Sequence, residues 1–161
     1  VLDLDTFLGG GQVALEQVGE ALDRVKRAGK PVYAYATGYT DDGYLLAAHA
    51  SEVWMSPLGA VAFTGPGGSR LYYKGLLDRL GVNAHVYRVG SFKSAVEPYT
   101  RTEQSAEARA ANQALAGALW SGWQRHVAAA RPKAQLAAAV ANPAGGGDLA
   151  QAALRYRLVD K

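Results

Sequence analysis

Apolar residues recur along this chain at two spacings, and the exchange between them predicts its architecture. Leu15, Val18, Leu22 and Val25 follow one another at helical intervals up to about Ala28, and Gly29 suits the left-handed residue just past a helix end. Lys30-Pro31 then launches a compact apolar run of strand length, Val32 to Ala36. A loop from Thr37 to Asp42 leads to a short helix, Gly43 to Ala50, and a short strand at Glu52 to Met55. Val1 to Leu4 reads as a strand tail before the Gly9-Gly10-Gly11 loop. Helical spacing returns in Tyr73, Leu76, Leu77 and Leu80, within a segment from Ser69. A buried strand is predicted at Ala84 to Val89, turning at Gly90 into a loop that runs to Pro98. Ser105 suits an N-cap with Glu107 in the first turn, and Leu115, Leu119, Trp123 and Val127 form an i, i+4 stripe ended by Pro132. An alanine-rich helical segment, a loop at Asn142 to Gly147, a short helix capped by Asp148 and a terminal Leu158-Val159 complete the chain.

Strands alternating with helices imply a mostly parallel sheet joined by right-handed crossovers, with apolar strands unsuited to facing water. In such sheets ligands gather at the carboxyl ends of the strands. The loops expected there are Gly9 to Gly11, Thr37 to Asp42, the Gly65 region and Gly90 to Pro98. All four are expected to converge on one edge.

Composition narrows the field. The 161 residues make one domain's worth, spanning 1–161, and 49% apolar against 19% charged residues argues against disorder. The net charge of +3 is spread along the chain, without the basic stripe of a nucleic-acid binder. The absence of cysteine removes disulfides, thiolate metal sites and cysteine nucleophiles. No run approaches the ~18 to 20 apolar residues that span a bilayer, and the chain opens Val-Leu-Asp-Leu-Asp without signal-peptide features. The expectation is an excised domain whose anchor lies elsewhere.

The glycine loops admit three readings: a tight turn, a phosphate cradle, or a backbone that approaches a peptide or carbonyl oxygen as in an oxyanion hole. They match neither Gly-x-Gly-x-x-Gly at the proper place nor a P-loop. His49, His85 and His126 lie on different elements without metal-ligand spacing, and Gly-x-Ser-x-Gly is absent. Trp120, Trp123, Tyr72 and Tyr73 suit a core or interface better than ligand stacking. Lys93 is different. Val86, Val89, Phe92, Ala95 and Val96 surround it in sequence with apolar side chains that would disfavour a charged amine, and a neutral amine can take a proton from a hydroxyl. Ser91 and Ser94 flank it, but neighbouring residues point differently, so a self-contained dyad is awkward.

Lys30-Pro-Val-Tyr-Ala34, Trp54-Met-Ser-Pro-Leu-Gly59, Leu71-Tyr-Tyr-Lys-Gly-Leu-Leu-Asp-Arg-Leu80 and above all Val86-Tyr-Arg-Val-Gly-Ser-Phe-Lys-Ser-Ala-Val-Glu-Pro-Tyr99 resemble the N-terminal domain of the long-form signal peptide peptidase A family. The likeness runs on to Asp148-Leu-Ala-Gln-Ala-Ala-Leu-Arg-Tyr-Arg-Leu-Val-Asp160. It implies a Clp protease/crotonase-like α/β fold and a bacterial serine/lysine peptidase. In that family the first of two tandem domains supplies the lysine base and the second the serine nucleophile. Lys93 matches the lysine. Asp41-Asp-Gly-Tyr-Leu45 matches the turn that carries the nucleophile in the second domain, so Asp41 stands in the serine's place and this chain has no nucleophile of its own. Ser91, Ser94, Gly65 and Gly67 are candidate supporting or substrate-lining residues. Phe7 to Gly11 echoes the second domain's Ser-Pro-Gly-Gly loop, as inherited backbone geometry.

The resemblance further implies a serine-bearing C-terminal domain as partner, a homo-oligomer described for the family as a tetrameric bowl, remnant signal peptides as substrates, and a membrane anchor outside this chain. The catalytic domains would lie in the cell envelope, outside the cytoplasm. No cofactor, metal or nucleic acid is expected, and the isolated chain is expected to be inactive. Two rival readings stand beside it. One is a crotonase-like acyl-CoA enzyme using Asp41, Asp42 or Glu97; the other is a non-catalytic scaffold in which Lys93 pairs with Glu97.

Overall fold

In the first sixty residues, short apolar runs stacked side by side form a three-stranded parallel sheet. The strands are β1 (Leu2–Asp3), β2 (Tyr33–Ala36) and β3 (Glu52–Met55), in the order β1-β2-β3. Leu2 lies opposite Ala34, and Tyr33 to Ala36 pair in step with Glu52 to Met55. The computed structural model describes residues 1–87, 89–90 and 93–161. They divide into two compact units: Val1–Gly65 together with Trp120–Lys161, and Pro66–Leu119.

In the first unit the crossover helices are α1 (Gln12–Arg27) and α2 (Asp41–Ala48). On α1 the inward line is Leu15, Gly19 and Leu22, whereas Val18 and Val25 are exposed. At 100° per residue those two valines sit well round the helix from Leu15, so the expected stripe was too wide. At Gly19 α1 closely approaches the end of α2: a Cβ there would lie 2.6 Å from the His49 ring. From Gly43 to Ala48 every residue of α2 is buried. Fully burying a side chain such as Leu45 is worth about 1.5–3 kcal/mol, which makes this helix the centre of the core. Tyr44 anchors it further by donating to Leu158 O at 2.8 Å.

The sheet alternates. Ala34, Ala36, Val53 and Met55 face the core, while Tyr33, Tyr35 and Trp54 remain partly open to solvent. Period-2 side-chain placement produces this two-sidedness, so the strands are not buried on both faces as anticipated, although the open face is largely aromatic. The carboxyl-terminal segment lies along β3 through Asp160 N to Val53 O and Met55 N to Lys161 O, both at 2.8 Å. The final elements of this unit are α6 (Leu136–Ala141) and α7 (Leu149–Arg155), the latter capped as expected by Asp148, whose side chain accepts from Gln151 N at 3.0 Å.

The second unit contains α3 (Lys74–Arg79), α4 (Glu97–Thr100) and the first half of α5 (Ala106–Ala130). Tyr73 N donates to Pro98 O at 2.6 Å, and the Tyr73 and Tyr99 rings stack with centroids 5.9 Å apart. The helix expected from Ser69 begins only at Lys74. The buried strand expected at Ala84 to Val89 is not found among the described residues: Tyr87 is 96% and Val89 84% exposed, and Ala84 and His85 are exposed too. An apolar run becomes a strand only when a neighbour accepts its backbone hydrogen bonds, and among the described residues the sheet holds three strands.

Candidate functional site

At the carboxyl edge of the sheet, the loops of the first unit are gathered by aspartates. Asp5, after β1, accepts from Thr37 N, after β2. Asp42 Oδ2 accepts from Gly10 N at 3.0 Å, tying the first glycine loop to the first turn of α2. Gly9 holds a φ of +112°, and a Cβ there would come within 2.6 Å of Asp42 Oδ2, so only glycine lets that loop pass. The Gly9 to Gly11 loop is thus a turn with its Gly10 amide clasped by a carboxylate.

Asp41 does similar work for the third loop. Its Oδ2 accepts from Thr64 N (3.1 Å), Thr64 Oγ1 (2.9 Å) and Gly65 N (3.2 Å), while its backbone carbonyl accepts from Trp123 Nε1 at 2.8 Å. Its Oδ1 is buried without a hydrogen-bond partner among the described residues. Gly65 turns with φ +70° against the face of Trp120, which stacks on Trp123 with centroids 4.8 Å apart. A carboxylate carrying three donors is committed to holding a loop. A serine hydroxyl is too short for the same reach and has fewer acceptor positions.

In the second unit, Lys93 is exposed on the loop before α4, and its N–H donates to Gly90 O at 3.5 Å. Among the described residues the apolar enclosure expected from its own segment is not formed, since Val89 and Ala95 are themselves exposed and Val86 and Val96 only half-buried. Ser94 O accepts from Glu97 N at 3.1 Å, opening the turn into α4. Ser91 and Phe92 lie outside the described residues. Glu97 is 1% exposed, and its carboxylate accepts from Ser105 Oγ at 2.5 Å and Ser105 N at 3.2 Å. Ser105 Oγ in turn accepts from Ala108 N at 3.2 Å, the N-cap bond foreseen for α5. Glu97, on the first turn of α4 just after the lysine-bearing loop, thereby fixes the start of α5. The sequence had offered Glu97 only to the rival readings; its proximity to a cap serine eight residues on was the missed signal.

Of the other predicted candidates, Gly67 is exposed and lines an open cavity in the second unit. Among the histidines, His49 is buried with Nδ1 2.9 Å from Asp23 Oδ2, His126 Nε2 lies 3.4 Å from Glu16 Oε1, and His85 is exposed. Burial raises the Asp23 pKa, but its bonds to Lys26 and His49 outweigh that and hold it below the ordinary value. Among the described residues no cluster of three acids or histidines is placed to hold a metal ion, and no helix is long and apolar enough to cross a membrane.

Residues 24–161 match the model of peptidase family S49. The chain belongs to peptidase family S49. Protease 4 of Salmonella typhi is 42% identical to it over 167 residues, covering 99% of this chain and 27% of that protein. Protease 4 of Haemophilus influenzae is 44% identical over 123 residues, covering 76% of this chain and 20% of that protein. The putative signal peptide peptidase SppA of Enterococcus faecium is 26% identical over 91 residues, 56% of this chain and 26% of that protein. This S49 chain thus spans about a quarter of the length of the curated relatives it matches.

Proposed function

We propose that this chain is the lysine-donating domain of a serine/lysine endopeptidase that degrades remnant signal peptides at the membrane of the bacterial cell envelope. The observation that carries the reading is Lys93 in its Val-Gly-Ser-Phe-Lys-Ser-Ala-Val-Glu-Pro run, inside a chain that belongs to family S49. Asp41, engaged by Thr64 and Gly65 where the nucleophile's turn is matched, supports it. In this reading 1–161 is one Clp protease/crotonase-like domain, and the serine comes from a second domain of the same protein. The whole assembles as a homo-oligomer, a tetramer by resemblance, and is anchored by a segment outside this chain.

An amine acts as a base only in its neutral form, which desolvation favours. Because Lys93 is exposed here, the serine-bearing domain must also supply the cover that dries it. The neutral amine then takes the serine proton as the oxygen attacks the peptide carbonyl, and returns it to the departing amine. It next takes a proton from the water that releases the acyl group. Replacing Lys93 by alanine in the full-length protein is expected to lower peptide turnover by roughly 10²- to 10⁴-fold, the usual worth of a general base. Near-normal turnover in that variant would sink the assignment.

A further inference from the structure

We infer that the cavity alongside the first half of α5 holds the carboxyl-terminal end of an apolar peptide, with Arg70 and Arg109 receiving its carboxylate. The inference deepens the peptidase reading and rests on it.

The cavity has a volume of about 690 Å³ and is lined wholly by residues of the Pro66–Leu119 unit. That volume lies within the roughly 300–1,000 Å³ of ordinary ligand sites. Its apolar side is Leu115, Ala116 and Leu119 of α5, with Leu115 61% exposed. Among the described residues its only charged lining is two arginines, Arg70 and Arg109, with no aspartate or glutamate beside them. The Arg70 guanidinium is oriented by donating Nη2 to Ala95 O at 3.3 Å, which leaves other N–H groups of the fork for a ligand. Tyr72 also lines the cavity, and its hydroxyl is buried with no partner among the described residues.

These features select one chemistry. An inorganic anion would satisfy the arginines and leave the leucines bare; an internal stretch of apolar peptide would cover the leucines and leave the arginines unpaired. A carboxyl-terminal residue presents a carboxylate and an apolar side chain from one Cα, a few ångströms apart, and meets both. The carboxamides of Gln104, Asn112 and Gln113 are then at hand for the peptide's remaining backbone groups.

The test is fluorescence-polarisation binding of a labelled Leu- and Ala-rich peptide, as the free acid and as its C-terminal amide, to full-length protein carrying Lys93→Ala. The acid is expected to bind at least about tenfold more tightly, the scale of one charge-assisted hydrogen bond, and N-acetyl-leucine is expected to compete where N-acetyl-leucinamide does not. Arg70→Gln and Arg109→Gln are each expected to bring the acid down to the affinity of the amide. Equal binding of acid and amide, or a preference that survives both arginine substitutions, overturns the inference. So does arginine-dependent binding to phosphatidylglycerol vesicles without any acid preference, which would assign the two residues to a membrane surface. Cleavage of the peptide by the Lys93→Ala protein counts against the catalytic assignment instead, so the two failures are distinguishable.

Discussion

Asp41→Ser places at position 41 the residue type expected of a nucleophile, and the structure says what it would cost. All three donors on Asp41 Oδ2, Thr64 N, Thr64 Oγ1 and Gly65 N, lose their acceptor. A hydrogen bond to a charged acceptor contributes about 1.5–3 kcal/mol net when isolated. Here three share one oxygen and the Thr64 pair is open to solvent, so the sum is smaller than three separate bonds, about 2–3 kcal/mol in all. That corresponds to a roughly 30- to 150-fold rise in local opening. Native-state hydrogen exchange at the Thr64 and Gly65 amides reads it directly, with urea unfolding as the global measure. Asp41→Asn retains one carbonyl oxygen and is expected to lose about half as much. Exchange at both amides within twofold of wild type in Asp41→Ser, with an unchanged unfolding midpoint, would refute the idea that this carboxylate holds the third loop.

Two further outcomes follow from packing and burial. Gly19→Ala drives a methyl into the His49 ring, which Asp23 holds from its far side, and is expected to cost about 1–3 kcal/mol as overpacking; an unchanged Tm would contradict the close helix approach. Burial pushes the Tyr44 hydroxyl well above its usual pKa, and Tyr39 likewise, so the neutral form is the folded one. Stability from each is therefore complete below the unfolded value near pH 10 and is lost as pH rises beyond it, by about 1.4 kcal/mol per unit. Tyr44→Phe is expected to be less stable than wild type by about 1–2 kcal/mol at pH 8, with the gap narrowing by about 1.4 kcal/mol at pH 11. A gap that stays constant between those pH values, in urea titrations followed by tryptophan fluorescence, would show that Tyr44 is not the group being protected.

Much of the first unit was legible in the residues. β2, α2 and β3 lie where the apolar runs and turn residues put them, since each run is short, punctuated and packed against its sequence neighbours. Ser105 and Asp148 were legible as caps because a cap is made within three residues of the chain. Ala84 to Val89 misled for the opposite reason: β-branched and aromatic residues indicate fitness for a sheet, while a strand exists only beside another. Val18 and Val25 misled because apolar spacing fixes a helix but not the width of its buried face.

By itself, then, the sequence determined the alternation of strands and helices in the first sixty residues, the helix caps at Ser105 and Asp148, and the resemblance on which the proposed roles of Lys93 and Asp41 rest, all properties of residue identity and near-neighbour spacing. The tertiary structure alone decided what those residues touch. Asp41 reaches Thr64 and Gly65 across more than twenty positions, Glu97 seats the cap of α5, and Arg70 and Arg109 come to line one cavity from separate elements. Such pairings arise from the closure of loops onto one another, and loop closure leaves no periodic trace along the chain.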